Sequence, residues 1–182
     1  MTPLVDNQPL PLVPRLRPDW LPFTPQREAE ARALVVTEAK KWVGTPYIQQ
    51  GDIKGAGIDC SMLLVRCWVD IGAVEPFDPR PYAPNWHMHR SEEHYLNWMM
   101  TLGVEVDTPK VGDVAIYQFG RCYSHGGIII EPGVIISASS KHRICLASNV
   151  TDPWLQYFDQ KCTRLRPVKY FDVWAKIGQT HE

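Results

Sequence analysis

Nothing in this chain pairs cysteines at C-x-x-C spacing, and its five cysteines, at 60, 67, 122, 145 and 162, are an odd number. That suggests neither a four-cysteine zinc site nor a disulfide framework, so most of the thiols are expected to be small buried side chains in a reducing compartment. Excess charge is also missing. Lys+Arg number 19 against 20 Asp+Glu, and no stretch gathers the positive charge that a phosphate backbone attracts, so nucleic acid is not expected as a partner. No apolar run approaches the ~20 residues of a membrane span, and Pro9, Pro11 and Pro14 interrupt every candidate for a signal-peptide core. The expectation is a soluble chain with no membrane insertion and no Sec-type leader.

Proline, by contrast, is plentiful and clustered: of 16 prolines, seven fall in the first 25 residues and four in 76–84. Neither stretch can be helix interior or central strand, because proline has no N–H to donate and its ring blocks the preceding turn. Residues 1–23 carry Leu10, Leu12, Val13, Leu16, Trp20 and Leu21 between their prolines, too apolar for a solvated linker. They read as an extended arm lying on a surface, the chain's own or a partner's. Residues 24–182 read as one domain with a loop insertion at about 73–110, and 45% hydrophobic residues with seven Trp are enough for a core.

Within that domain, helical signals come first. Thr24 followed by Pro25 is a helix start, with Ala31, Leu34, Val35, Ala39 and Trp42 at helical spacing after it. A glycine-bearing loop then leads to Asp59 and a second helix over 60–70, with Cys60, Leu63, Leu64, Cys67 and Trp68 on one face, and a third is expected from Ser91 to about 100. Short β-rich runs follow at 113–119, 124–130, 134–139 and 142–148, with further strands around 163–169 and 171–177. Helices first and strands later indicate an α+β fold, helices packed on one face of an antiparallel sheet.

Two places could carry chemistry. Cys60 stands in the first turn of its helix, directly after a residue of good capping type, where unsatisfied N–H groups favour a thiolate. An ordinary buried thiol could sit there too. Ser124-His125-Gly126-Gly127 opens the apolar strand 128–130, placing a histidine at the mouth of a core strand where its neighbours let another backbone approach. A thiol needs a base, and His125 is the one histidine that starts a core strand. His87, His89 and His94 form H-x-H-x4-H, but no carboxylate is in register, so no metal and no cofactor are expected.

In order and spacing, Gly44-Thr45-Pro46-Tyr47, Gly57-Ile58-Asp59-Cys60-Ser61, Val111-Gly112-Asp113-Val114 and Ser124-His125-Gly126-Gly127-Ile128 resemble the NlpC-type papain-like cysteine peptidases, which cut bacterial cell-wall peptides. The run from Pro81 to His89 looks like the branch found in phage tail tips and gene-transfer particles. The resemblance implies Cys60 as nucleophile, His125 as base and Ser137 in the third polar position, where the family usually has histidine, with His142 a nearby substitute. It implies Tyr47, Asp59, Ser61 and Ser124 along the substrate site. It further implies peptidoglycan stem peptides as substrate, cut at a bond of D-glutamyl-diaminopimelate type, tail-tip or hub proteins as partners of the arm, and a place in the virion tail. Met62 replaces a frequent glycine and is expected to crowd the groove or reshape its specificity. An inactive tail-tip protein that keeps the fold, and a free-standing amidase or acyltransferase, are the alternatives.

Overall fold

The computed structural model describes Pro11, residues 14–82 and residues 93–177. Helix α1 spans Pro25–Trp42, its first turn capped by the Thr24 hydroxyl accepting from the Arg27 N–H. A two-stranded ribbon follows, β1 (Asp52–Ile53) with β2 (Gly57–Ile58), and then α2 (Cys60–Asp70). After the proline-rich segment come α3 (His94–Leu102) and β3 (Val104–Val106). Strands β4 (Val114–Phe119), β5 (Cys122–Glu131), β6 (Val134–Ser139) and β7 (Ile144–Asn149) form a meander. The short helix α4 (Pro153–Gln156), strand β8 (Val168–Asp172) and α5 (Trp174–Ile177) end the described chain.

Six strands make one antiparallel sheet in the order β3-β8-β4-β5-β6-β7. Alternation sends Val114, Ile116, Ile128, Ile136 and Ala138 to the helical side, where they meet Val35, Trp42, Leu63, Leu64, Trp68 and Met99. Ala115, Tyr117, Ile129 and Ile135 face the other way and are covered by Leu155. Helices α1, α2 and α3 all touch β5, so the strand that carries His125 is the one the helical layer rests on. The α+β architecture expected from the order of signals is the one observed.

Arg32 ties the layers together. Its guanidinium donates to Glu28 at 2.8 Å on the same helix, to Asp113 at 2.6 Å just before β4 and to the Val111 carbonyl, and it pairs with Asp172 at the end of β8 at 2.7 Å. The Gly-Asp-Val element is therefore a structural joint between α1 and the sheet.

Several expectations need correction. No strand covers 163–167: the Asp159 carboxylate takes the N–H groups of Thr163 and Arg164, so those donors serve a turn instead of a ladder. The strand lies at Val168–Asp172, and Asp172 then accepts the Ala175 N–H and starts α5, where 171–177 was read as continuous strand. Met62 is 2% exposed and belongs to the helical core, so it does not crowd a groove. The described part of the first 23 residues packs on the chain itself. Leu16 is 1% exposed and bridges Val74, with Arg17 N–H on the Ala73 carbonyl and Glu75 N–H on the Arg15 carbonyl. His87, His89 and most of the run from Pro81 to His89 lie outside the described residues; among those described, no cluster of potential metal ligands occurs. No described helix is long and apolar enough to cross a membrane.

Candidate active site

Asp59 is the pivot of the nucleophile's position. It is 2% exposed, and its Oδ1 accepts the N–H groups of Ser61 and Met62 at 3.1 and 2.9 Å, capping α2. The other oxygen accepts the Gln50 N–H at 2.6 Å, and the Tyr82 hydroxyl donates to the carboxylate at 2.7 and 2.9 Å. These bonds lower its pKa, but burial outweighs them and leaves it above the usual carboxylate value. Expected on the substrate site, Asp59 is instead spent on internal donors. Tyr82 is held in turn: Gln50 Nε2 donates to its carbonyl, and Arg80 clamps Asp78, Asp52 and the Gln50 carbonyl. Tyr82 was not singled out in the sequence, because nothing in a proline-rich loop says which residue turns inward.

Cys60 follows at the first helical position. Its Sγ–H points to the Ser124 carbonyl at 3.8 Å, and the Gly126 N–H lies where it favours the charged sulfur. The thiol is thus held against the backbone on both sides of His125. A bulge makes this possible. Tyr117 faces His125 in the β4–β5 ladder, but Gln118 faces Tyr123, so Ser124 is an extra residue that bends β5 toward α2. The Ser124 hydroxyl donates to the Phe119 carbonyl across the bend, a fold contact where a substrate contact was expected.

His125 is 7% exposed, and its Nε2 lies 3.2 Å from the Oγ of Ser137, which is fully buried. Phe119, Trp154 and Tyr117 surround the ring at centroid distances of 4.9, 5.5 and 6.5 Å. Gly127 leaves the room for this: a Cβ there would meet the Ile136 carbonyl at 2.6 Å and Ser137 Cβ at 2.9 Å. His142 is elsewhere engaged, its Nδ1 3.0 Å from Ser139 Oγ and its ring edge-on to Trp154. Of the two residues weighed for the third position, Ser137 is the one on His125.

The electrostatics reverse one expectation. The helix start was read as lowering the Cys60 pKa, but burial, and after it the Asp59 charge, push it up to about 12. Desolvation of the sulfur outweighs the N–H groups at the helix start and the bond from Gly126. Tyr47, from the loop after α1, is half-buried, and its hydroxyl donates to Gln49 at 3.0 Å. Its pKa is raised by burial and by the nearby Cys60 and Asp59 charges, which places it on the same side of the site. Ser61 is 8% exposed, and its hydroxyl favours the charged form of Cys60.

Residues 44–163 match the NlpC/P60 family. The Gamma-DL-glutamyl hydrolase of Bacillus subtilis (strain 168) is 29% identical over 128 residues, which are 69% of this chain and 28% of that protein. The chain therefore spans under a third of that relative's length. Among solved structures, NlpC1 from Trichomonas vaginalis matches 80% of this chain and 44% of its own with a TM-score of 0.54 at 15% identity. The peptidoglycan hydrolase RipB from Mycobacterium tuberculosis matches 82% of this chain and 68% of its own with a TM-score of 0.51 at 17% identity. At such identities the likeness concerns the fold.

Proposed function

We propose, from the premise that the chain belongs to the NlpC/P60 family, that it hydrolyses an amide bond in peptidoglycan stem peptides through a thioester on Cys60. The observation that carries this reading is the seating of the Cys60 sulfur between the Ser124 carbonyl and the Gly126 N–H while His125 Nε2 meets Ser137.

The chemistry follows from that geometry. With Nε2 protonated and donating to the Ser137 hydroxyl, Nδ1 is the ring nitrogen that takes the Cys60 proton. Because the thiol is neutral at rest, the proton moves as the sulfur attacks the amide carbonyl. Negative charge then develops on the carbonyl oxygen near the start of α2. Asp59 takes the N–H groups of Ser61 and Met62, whereas the Cys60 N–H, one residue earlier, is not among them and can donate to that oxygen. His125 returns its proton to the leaving amine, and water, activated by the same nitrogen, releases the acid and restores the thiol.

The finer reading is an enzyme of a phage-type tail tip that cuts a D-glutamyl-diaminopimelate bond and opens the wall locally. It is supported by the run from Pro81 to His89 and by the name of the Bacillus relative, a glutamyl hydrolase. Purified wall is the direct test. Cys60→Ala and His125→Ala are expected to release no stem-peptide fragments while keeping the circular dichroism of the parent chain. Undiminished release by Cys60→Ala overturns the reading.

A further inference from the structure

Helix α3 brings a residue to this site that no motif announces. Tyr95 is 6% exposed, packs against Trp98 at 5.8 Å, and its hydroxyl, with the Ser61 hydroxyl beside it, makes no hydrogen bond of good geometry among the described residues. The hydroxyl sits against Gly126, where an added Cβ would come within 2.3 Å of it. Gly126 is also the residue whose N–H favours the charged Cys60 sulfur. Tyr95 and Cys60 therefore meet at one backbone residue, approached from α3 and from α2.

A buried hydroxyl without a partner is unfavourable in the resting fold. It is explained if its acceptor forms only during turnover, and the anion that forms here is the sulfur. We propose that the Tyr95 hydroxyl is a hydrogen-bond donor held for the Cys60 thiolate, stabilising it once the proton has passed to His125. No covalent bond of Tyr95 changes: its O–H turns to the sulfur as S–H becomes N–H on the imidazole. The other titratable groups around the sulfur are Asp59 beside it, Tyr47 from the loop after α1, Tyr82 from the proline-rich segment and His125 from β5. The inference rests on Cys60 and His125 acting as a pair.

Alkylation of Cys60 by iodoacetamide, followed across pH by mass at the Cys60 peptide of the full chain, reads the thiolate without any substrate. Tyr95→Phe is expected to move the midpoint of the rate profile up by at least half a pH unit and to lower the rate at pH 7 at least threefold. Its thermal midpoint should equal or exceed the parent's, because an unpartnered hydroxyl is removed. Site-specific 3,5-difluorotyrosine at position 95, a stronger donor of nearly the same shape, is expected to move the profile the other way. Superimposable profiles for the parent and both variants overturn the proposal, as does a lower thermal midpoint for Tyr95→Phe, which would reveal a resting partner. A parent profile unaffected by His125→Ala would instead overturn the paired mechanism itself, so the two failures are told apart.

Discussion

His125 and Ser137 face each other across β5 and β6, and a hydroxyl can accept from the ring N–H but brings no charge to steady an imidazolium. A hydrogen bond to a charged partner is worth ~1.5–3 kcal/mol, so Ser137→Ala is expected to lower kcat by roughly ten- to a hundredfold. KM should change little, since Ser137 is fully buried behind the histidine. Steady-state kinetics on a stem-peptide substrate separate the two parameters, and an unchanged kcat would leave Ser137 as packing alone. The placement of Cys60 at a helix start and of His125 on a core strand was legible in the sequence because each lies in a short motif whose neighbours share its fate, whereas Ser137 beside His125 was one of two candidates for its position. Tyr95 was not legible. Its place against Gly126 depends on a contact 31 residues distant, and helical spacing alone marks it as one more apolar-face aromatic.

Among elements, the excursion between β7 and β8 was the least legible, because it is organised by one long side chain. Arg166 donates to the carbonyls of Leu155, Gln118 and Tyr157 at 3.0, 2.6 and 2.7 Å, and its guanidinium lies over Phe119 at 3.7 Å and Phe158 at 4.6 Å. No periodicity reports such a hub. It sets α4, and α4 carries the Trp154 ring that stands edge-on to His125. Arg166→Met should therefore act at a distance. It strands three carbonyls, costs on the order of 1–3 kcal/mol of stability, and raises hydrogen exchange across 153–167 before the rest of the sheet. Uniform exchange in parent and variant would show that the excursion holds itself. The meander, in contrast, was readable to within a few residues, since alternation and turn residues mark it locally. The bulge at Ser124 was not, because one extra residue leaves no trace in a period-two pattern.

For the molecule as a whole, buried thiols set an alkaline limit. Burial raises Cys145 from its ordinary value of 9.0 to about 12, acts on Cys60 in the same direction and raises Cys67 well above that ordinary value. A folded-state pKa above the unfolded one means that the unfolded chain loses its proton first. The stabilisation is thus complete below about pH 9 and is lost as pH climbs toward 12, by up to ~1.4 kcal/mol per pH unit for each such thiol. Urea midpoints are expected to fall steeply above pH 9, and Cys145→Ala should flatten that slope by about one proton. An equal slope in the variant would remove Cys145 from the account. The first residues described were harder to place from sequence: their apolar side chains indicated a surface, the chain's own or a partner's, and Leu16 and Trp20 join the domain's own core.

The segment just after α1 does more than carry Tyr47. Gly44 N–H bonds the Cys145 carbonyl, Cys145 N–H bonds the Thr45 carbonyl, and Tyr47 N–H bonds the Arg143 carbonyl, so the start of β7, an outer strand of the sheet, has its outward row of donors and acceptors occupied. At the opposite border β3 is three residues long, with Glu105 tied to Lys169. Strand addition by a second molecule needs a long open row of such groups, and neither border offers one along its full length. Coverage of this sheet border at the start of β7 and the placement of Tyr47 thus rest on the same few amides, and an insertion at 143–145 would forfeit both together.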